Sequence, residues 1–224
     1  ALSINNWNEE RISKNTERVV LKNIQEEIQL DTLDIGWNLK YHLLAFKNEK
    51  KLLALLFSDT TISIDSIDFT HALGMSIIAV LNRATYNALS NNNPDLIKNQ
   101  ILKKQIYRHY DFFYTALLEA QNKSSGFKLY EKLLPFFQKN FKIINRTTNV
   151  ISSSNNSSDY LSGNWERNEL YPKNIESLKD NDEFKVALSE VIFIRKVIIS
   201  LYEETLNRIK ALNSEIEKEL TNNF

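Results

Sequence analysis

Histidines are the side chains best suited to metal binding or acid–base chemistry, and the chain has three: His42, His71 and His109. Helical bundles that bind two metal ions place a Glu three residues before a His on one helix face. Helical zinc peptidases carry the pattern His-Glu-x-x-His. Neither arrangement surrounds these histidines. We therefore predict no metal site, no cofactor, and three histidines that are partly exposed or hydrogen-bonded.

Adjacent acidic residues are the second group that suits catalysis, and they occur as Glu9-Glu10, Glu26-Glu27 and Glu203-Glu204. Neighbours on a helix point about 100° apart, so the two members of a pair do not share one site. A general acid and base would have to converge from different helices. The chain also lacks a glycine-rich phosphate loop and a Gly-x-Ser-x-Gly turn. We predict that the protein is not an enzyme, and keep a carboxylate-based enzyme as the last-ranked alternative.

Tyrosines make the densest cluster of functional groups. Tyr107, Tyr110 and Tyr114 follow each other at steps of three and four, which places them on one helical face. Together with Tyr86 they form a candidate binding groove, since amphipathic aromatic rings suit interfaces. The alternative interpretation is ordinary bundle packing with the hydroxyls at the edge of the core.

Composition favours one helical domain or two small ones. The chain has 224 residues with 28 basic and 28 acidic side chains, no cysteine, four glycines and three prolines. Zero net charge argues against a general nucleic-acid binder. The lack of cysteine excludes disulfides and thiolate metal sites. So few helix breakers over this length indicate long helices.

The positions of the apolar residues predict a very long first helix. They recur at steps of three, four and seven from Ile4 to Phe57. A second apolar row is expected to widen the stripe that faces a bundle core: Leu30, Leu33, Trp37 and Leu44. Residues 9–18 contain only Ile12 as an apolar side chain, so this part should be a solvated stalk.

The last helix is predicted over residues 181–221. Its apolar residues follow a heptad pattern that Arg195 and Asn213 interrupt. A buried polar residue at such a position fixes helix register or oligomer state, and we predict this role for both. The seam predicts self-association, or pairing with the Ile12–Val19 region of the first helix.

Shorter elements are expected between the two long helices. The pattern predicts helices over residues 67–89, 94–121 and 127–141, with a kink at Pro135. Residues 144–180 should be irregular and should include a flexible Ser- and Asn-rich loop. The predicted fold is an all-α, elongated antiparallel helix bundle. A single domain would cover residues 1–224, with a stalk at 1–20 and 205–224 and a bundle head at 21–204.

The start of the chain reads as the exit of a membrane helix. Apolar residues give way to Asn and Trp and then to charge, in the order Ala-Leu-Ser-Ile-Asn-Asn-Trp-Asn-Glu-Glu-Arg. Indole rings prefer the boundary between lipid and water. Trp7 is therefore predicted to lie at headgroup level, with Arg11 and Lys14 near the lipid phosphates. The alternative is a stray aromatic on a frayed helix end.

This opening resembles an uncharacterised bacterial family that is classified only as a domain of unknown function. Its members look like single-pass membrane proteins whose apolar helix ends in Ala-Leu-Gln-Ile-Asn-Asn-Trp-Asn-Glu, and Ser3 stands where the family has Gln. A second similarity runs from Tyr86 through Leu96-Ile97-Lys98-Asn99 to Tyr110, although Asn91-Asn92-Asn93 replaces a Ser-Gly turn. The resemblance implies a membrane helix before residue 1 and a domain that faces the periplasm. It brings no known activity or ligand.

These observations lead to one principal hypothesis and two alternatives. The principal hypothesis is a membrane-anchored helical interaction or scaffold domain with a protein partner or a second copy of itself. The first alternative is a periplasmic bundle that senses a ligand in a pocket between its helices. The second alternative is the carboxylate-based enzyme. The absence of a catalytic cluster and the long stalk favour the first.

Overall fold

The computed structural model describes residues 2–58, 61–73, 78–123, 126–150 and 164–224. In chain order the helices of eight or more residues are α1 (Leu2–Leu56), α3 (Ala84–Asn92), α4 (Gln100–Arg108), α5 (Thr115–Lys123), α6 (Gly126–Asn140) and α8 (Asp182–Asn223). Two short helices are α2 (Phe69–Ala72) and α7 (Ile175–Lys179), and the strands are β1 (Phe141–Val150) and β2 (Asn164–Pro172). The protein is all-α apart from this strand pair, as predicted.

Helices α1 and α8 are the longest, with 55 and 42 residues, and they pack antiparallel. Gln29 on α1 donates to Asn213 on α8 at 3.5 Å. Farther along the pair, Lys14 lies over the ring of Phe224 at 5.6 Å from its centroid. The predicted antiparallel pair is therefore confirmed. Asn213 faces Gln29, however, and not the Ile12–Val19 region that the sequence indicated.

The N-terminal end of α1 projects beyond the end of α8. Side chains 7–12 are exposed, in keeping with a solvated stalk. Glu17 is the exception, because it is buried and accepts a hydrogen bond from the backbone N–H of Lys98 at 2.7 Å. At the same level, Asn99 donates to Glu219 on α8 at 2.6 Å. The bundle therefore includes Glu17 of α1 and Glu219 of α8. The stalk is shorter than the predicted residues 1–20 and 205–224.

The predicted helix over residues 67–89 is wrong. Helix α2 ends at Ala72, residues 78–83 are not helical, and α3 begins at Ala84. The physical reason lies on α1, whose acidic side chains accept the backbone N–H groups of this stretch. We call residues 78–83 the clasped segment. An apolar pattern shows which residues are buried, but it does not show which partner satisfies their backbone.

The next helix begins at Gln100 and not at residue 94. Asn99 is its N-cap, and the side-chain oxygen accepts from the N–H groups of Ile101 and Leu102. This is the usual way in which an Asn satisfies the free amides of a helix start. From there α4, a π-helical turn (His109–Tyr114) and α5 form one continuous helix to Lys123.

Residues 144–180 are more regular than predicted. Strands β1 and β2 form an antiparallel hairpin with a bulge between Ile143 and Asn145. After it, α7 begins at an Asn174 cap. The predicted Ser- and Asn-rich loop lies outside the described residues. Helix α6 matches its prediction to within a residue at either end and contains Pro135.

A single apolar core runs between α1, α8 and the shorter helices. Helix α1 contributes fully buried side chains at helical spacing, Leu21, Ile24, Ile28 and Ile35. The second apolar row of α1 does not join this core, contrary to the prediction. Leu30, Leu33 and Leu44 are 47%, 40% and 42% exposed, and Trp37 is half-buried. Since α8 and the clasped segment cover the opposite side of α1, this row faces outward.

Within the described residues, no helix combines the length and the apolar character needed to cross a bilayer.

Candidate functional site

A row of acidic side chains on α1 is the most unusual feature of the interior. Glu27, Asp31 and Asp34 follow each other at steps of four and three, on the side of the helix that carries Ile28 and Ile35. Each accepts a backbone N–H from the clasped segment or the start of α3. We call these three residues the carboxylate row.

The contacts of the row run antiparallel to α1. Asp34 accepts from the N–H of Val80 at 2.6 Å. Asp31 accepts from the N–H of Asn82 at 2.9 Å and from its side-chain amide at 2.6 Å. Glu27 accepts from the N–H and the hydroxyl of Thr85 at 3.0 and 2.7 Å. Side chains of α1 thus accept the N–H groups that would bond to carbonyl groups of the same segment if residues 78–85 were helical throughout.

The opposite side of the clasped segment is held by α5 and α8. The side chain of Gln121 accepts from the N–H of Ala79 and donates to its carbonyl, both at 3.0 Å. The hydroxyl of Tyr202 donates to the same Gln121 oxygen at 2.6 Å. Because Gln121 pairs with Ala79 as a neighbouring strand would, the segment is fixed from both sides.

Burial raises the pKa of two members of the carboxylate row, Asp31 and Asp34. It raises the pKa of Asp31 to about 6, although the hydrogen bonds from Asn82 and Tyr114 favour the charged form. It also raises the pKa of Asp34, against the hydrogen bond from Val80. Desolvation therefore outweighs hydrogen bonding at both residues. A raised pKa is typical of catalytic acids, but these two carboxylates accept hydrogen bonds from backbone amides.

The four predicted groove tyrosines come together beside the row. Tyr86 stacks on Tyr110 at 4.4 Å between ring centroids and meets the edge of Tyr107 at 5.3 Å. Tyr114 lies 5.1 Å from Tyr110 and donates its hydroxyl to Asp31 at 2.7 Å. Tyr86, Tyr110 and Tyr114 are at most 3% exposed. The rings therefore pack against each other, as in the second interpretation of the sequence, and the groove stays a prediction.

Several polar atoms around these tyrosines have no hydrogen-bond partner among the described residues. They include the second carboxylate oxygen of Glu27, the Nε of Arg83 and the hydroxyls of Tyr107 and Tyr110. Arg83 lies over the ring of Tyr86 at 6.0 Å and approaches Asp111 at 3.9 Å. A positive charge and a negative charge thus meet at the edge of an aromatic cluster.

His109 is the most unusual member of the cluster. It opens the π-helical turn, is 2% exposed, and neither ring nitrogen has a partner among the described residues. Its ring packs 4.2 Å from that of Tyr114. Burial lowers the pKa of His109 to about 4, so the ring is neutral at pH 7. The prediction that each histidine is exposed or hydrogen-bonded is therefore wrong for His109.

We expect His109→Phe to stabilise the protein. At pH 7 it removes two unpartnered buried nitrogens, which is worth about 1 kcal/mol. An unfolded histidine binds its proton near pH 6.5 and the folded one only near pH 4. The wild type therefore loses stability as the pH falls through this window, and the variant does not. By pH 5 the advantage should grow by about 2 kcal/mol. Urea unfolding at the two pH values measures it, and a gain that does not change with pH would contradict the assignment.

A buried ion pair joins α1 to α8. The Nε of Arg195 donates to Glu49 at 2.7 Å, and a guanidinium nitrogen lies 2.9 Å from Nδ1 of His42. Arg195 and Glu49 are 1% and 0% exposed. Burial raises the pKa of Glu49 to about 7, while the charge and hydrogen bond of Arg195 oppose that rise. Arg195 thus contacts α1 within the same chain, and its role in fixing the register stays a prediction.

The third histidine, His71, pairs with Asp68. Its Nδ1 lies 2.5 Å from the carboxylate, which also caps α2 by accepting from the N–H of His71 at 2.9 Å. The sequence pattern Asp-x-x-His at this helix start indicates the pair. It was not predicted from the sequence, because only Glu-x-x-His was considered. No group of three or more potential ligands that suits a metal ion occurs in the described part of the chain.

The predicted membrane-interface residues lie on successive turns near the N-terminal end of α1. Trp7 is 64% exposed, and the guanidinium of Arg11 sits 5.5 Å from its ring centroid. Lys14 lies about one turn farther on, against Phe224 at the C-terminus of α8. An exposed indole with Arg11 over its ring and Lys14 two helical turns from it has the composition of an interfacial anchor.

Comparisons of the chain with protein-family models, with curated proteins and with solved structures found no match. The resemblance noted in the sequence and the roles assigned to the site residues therefore stay predictions. What the geometry itself provides is a core braced by buried acids, an outward apolar row on α1, and an exposed aromatic and basic end.

Proposed function

We propose that the chain is a non-catalytic interaction domain, anchored at a membrane surface through the N-terminal end of α1, with its bundle on the periplasmic side. One observation carries this proposal. Helix α1 is unbroken from Leu2 to Leu56 and projects beyond α8 with Trp7 exposed beside Arg11. A helix that continued upstream into a bilayer would place this indole at the headgroup level.

The hydrogen bonds and the ion pair made by the acidic side chains of α1 support a non-catalytic role. Glu27, Asp31 and Asp34 each accept a backbone N–H, and Glu49 pairs with Arg195. A catalytic acid or base needs a position within reach of a substrate proton. These carboxylates instead hold the chain in place, so their function is structural.

The outward row of α1 supports an interaction role. Leu30, Leu33 and Leu44 are each at least 40% exposed along one helix face. Contiguous exposed apolar side chains on a soluble surface mark sites where another surface binds. The row lies in the middle of α1, where a partner is able to reach it.

A ligand-sensing bundle is the second candidate, and one observation favours it. The Nε of Arg83, the Tyr110 hydroxyl and an oxygen of Glu27 are buried without a partner in the described part of the chain. A small polar ligand that bridged these atoms would satisfy all three.

The anchor is tested by the fluorescence of Trp7 at a bilayer. Trp37→Phe and Trp165→Phe leave Trp7 as the sole tryptophan of the three. The protein is tethered to phosphatidylglycerol-containing vesicles by an N-terminal histidine tag on a nickel-chelating lipid. We expect a blue shift, and stronger quenching by lipids brominated near the headgroup than by lipids brominated deep in the chain.

Two controls bracket this measurement. The variant Arg11→Glu/Lys14→Glu should reduce the quenching because it removes the attraction to phosphate. The wild type tethered to vesicles of neutral phosphatidylcholine should lose quenching for the same reason. Trp7 emission that stays as in free solution under the N-terminal tether would refute the anchor.

A further inference from the structure

The outward row of α1 is an apolar surface that no described part of the chain covers. Leu30, Leu33, Trp37 and Leu44 follow each other at steps of three, four and seven, which aligns them along one face of the helix. Leu43, by contrast, has the same exposure as Leu44 but points about 100° away. The row is therefore a defined stripe and not a general excess of exposed leucine.

The middle of the stripe permits a close approach. Gly36 sits beside Trp37 within the helix, and a Cβ built on it would meet nothing within 4 Å. A glycine in a helix interior costs about 1 kcal/mol relative to alanine when it has no packing role. A second helix that lay across this point would find room next to the Trp37 ring.

Charged residues divide the stripe into two unlike ends. Glu26 precedes the apolar residues in the same heptad pattern, Lys40 lies between Trp37 and Leu44, and Lys47 follows Leu44. All three side chains are exposed. The stripe thus changes from acidic to basic along α1, which gives it a direction.

The positions of these charged residues favour one partner and one orientation of the two helices. Two parallel copies would place Glu26 against Glu26 and lysine against lysine, and like charges at such positions repel. Two antiparallel copies place the acidic end of each against the basic end of the other. We propose that the outward stripe of α1 binds the same stripe of a second copy of this chain, with the two helices antiparallel.

One alignment satisfies the whole stripe. With Leu33 opposite Leu44 of the second copy, Trp37 faces Lys40 of that copy, and each contact occurs twice by symmetry. A lysine over an indole ring is a favourable cation–π pair. In the same alignment Glu26 comes within about one turn of Lys47 of the second copy.

The contact is small. The face from Glu26 to Lys47 is roughly 32 Å long at about 1.5 Å per residue. At a width of about 11 Å it covers roughly 350 Å², less than half of what each partner of a standard interface contributes. We therefore expect weak association in free solution, with a Kd on the order of 10–100 µM.

The orientation has a consequence that rests on the proposed function. An antiparallel pair centred near Trp37 holds its two Trp7 ends roughly 95 Å apart, facing opposite ways. Two copies that stand upright in one bilayer do not meet in this way. The pair is therefore expected between chains whose Trp7 ends point away from each other, and the lipid-free protein is the form in which it is measured.

Sedimentation equilibrium of the lipid-free protein tests the pairing. From about 10 to about 500 µM, the wild type should shift from monomer to dimer. Leu33→Glu should weaken the dimer by about 100-fold. Ile101→Glu is the control, because Ile101 is 72% exposed on α4, away from the stripe, and it should leave the Kd unchanged. A wild type that stays monomeric throughout, or equal effects of the two variants, would overturn the proposal.

Disulfide trapping tests the orientation, and the chain has no native cysteine to interfere. Mild oxidation of a mixture of Leu33→Cys and Leu44→Cys should give a cross-linked heterodimer, because these positions face each other. Neither variant alone should cross-link well. Leu33→Cys that cross-links to itself as fast as the mixture would show a parallel pair and reject the proposal. Since lipid is absent from both experiments, their failure would leave the membrane anchor untouched, and failure of the anchor would leave the dimer untouched.

Discussion

Arg195→Ala is expected to lower the free energy of unfolding by about 3–5 kcal/mol. The substitution leaves the Glu49 carboxylate buried at 0% exposure without its partner at 2.7 Å. A single domain has only about 5–15 kcal/mol in total, so the variant should be close to unfolding at 37 °C. Chemical denaturation at 15 °C followed by circular dichroism measures the loss.

The loss should also depend on pH. An unpaired Glu49 escapes part of the penalty by binding a proton, and burial already raises its pKa to about 7 in the presence of Arg195. The folded pKa lies above the unfolded one, so the neutral form stabilises the fold at low pH and its contribution is lost as the pH rises through 7. The variant should therefore suffer more at pH 8 than at pH 6.

The double variant Glu49→Leu/Arg195→Met is the matched control. It removes both charges and fills the site with apolar side chains, which is often neutral or stabilising. We expect it to recover most of the stability that Arg195→Ala loses. If the double variant is as unstable as the single one, the ion pair does not carry the effect, and loss of the contact to His42 would explain it instead.

The second large effect is expected at the centre of the carboxylate row. Asp31→Ala should cost about 2–4 kcal/mol at pH 7, because it leaves the N–H of Asn82 and the Tyr114 hydroxyl unpaired inside the core. Asp31→Asn keeps an acceptor oxygen and should cost about 1 kcal/mol or less. Denaturation of both variants under one set of conditions gives the comparison.

The Asn variant also isolates the titration of Asp31. The folded pKa of about 6 lies above the unfolded value of 3.8, so the protonated acid stabilises the fold below pH 4. That contribution is lost as the pH rises through about 6. Relative to wild type, Asp31→Asn should therefore gain up to about 3 kcal/mol between pH 4 and pH 7.5. A constant difference across this range would mean that Asp31 is ionised throughout.

The two long helices were predictable because their signal is long and local. The apolar spacing from Ile4 to Phe57 and the heptads of the last helix need no information about the rest of the chain. Arg195 could be singled out as a polar interruption of a seam. Its partner Glu49 could not, because 146 positions separate the two and only the antiparallel packing brings them together.

The clasped segment shows where sequence reasoning fails. Residues 78–81 are apolar and lie at helical spacing from Leu73, yet residues 78–83 are not helical because Asp34, Asp31 and Gln121 satisfy their backbone. The signal was present on α1, where three acids at helical spacing share a face with buried isoleucines. Such acids are normally assigned to solvent, because lone buried carboxylates are costly. The hairpin of β1 and β2 was also not predicted from the sequence. Its strands are mostly polar and lack the alternation of apolar and polar residues that identifies a strand in a sequence.

The position of the bundle relative to a bilayer tests the account most directly. Single cysteines at Asn8 and at Val186, on opposite ends of the α1–α8 pair, each carry a donor dye, and the N-terminally tethered vesicles carry acceptor lipids. Energy transfer should be strong from position 8 and nearly absent from position 186, which an upright rod holds roughly 70 Å farther away. Equal transfer from both positions would mean that the bundle lies flat on the bilayer or does not engage it, and would contradict a domain raised from the membrane on α1.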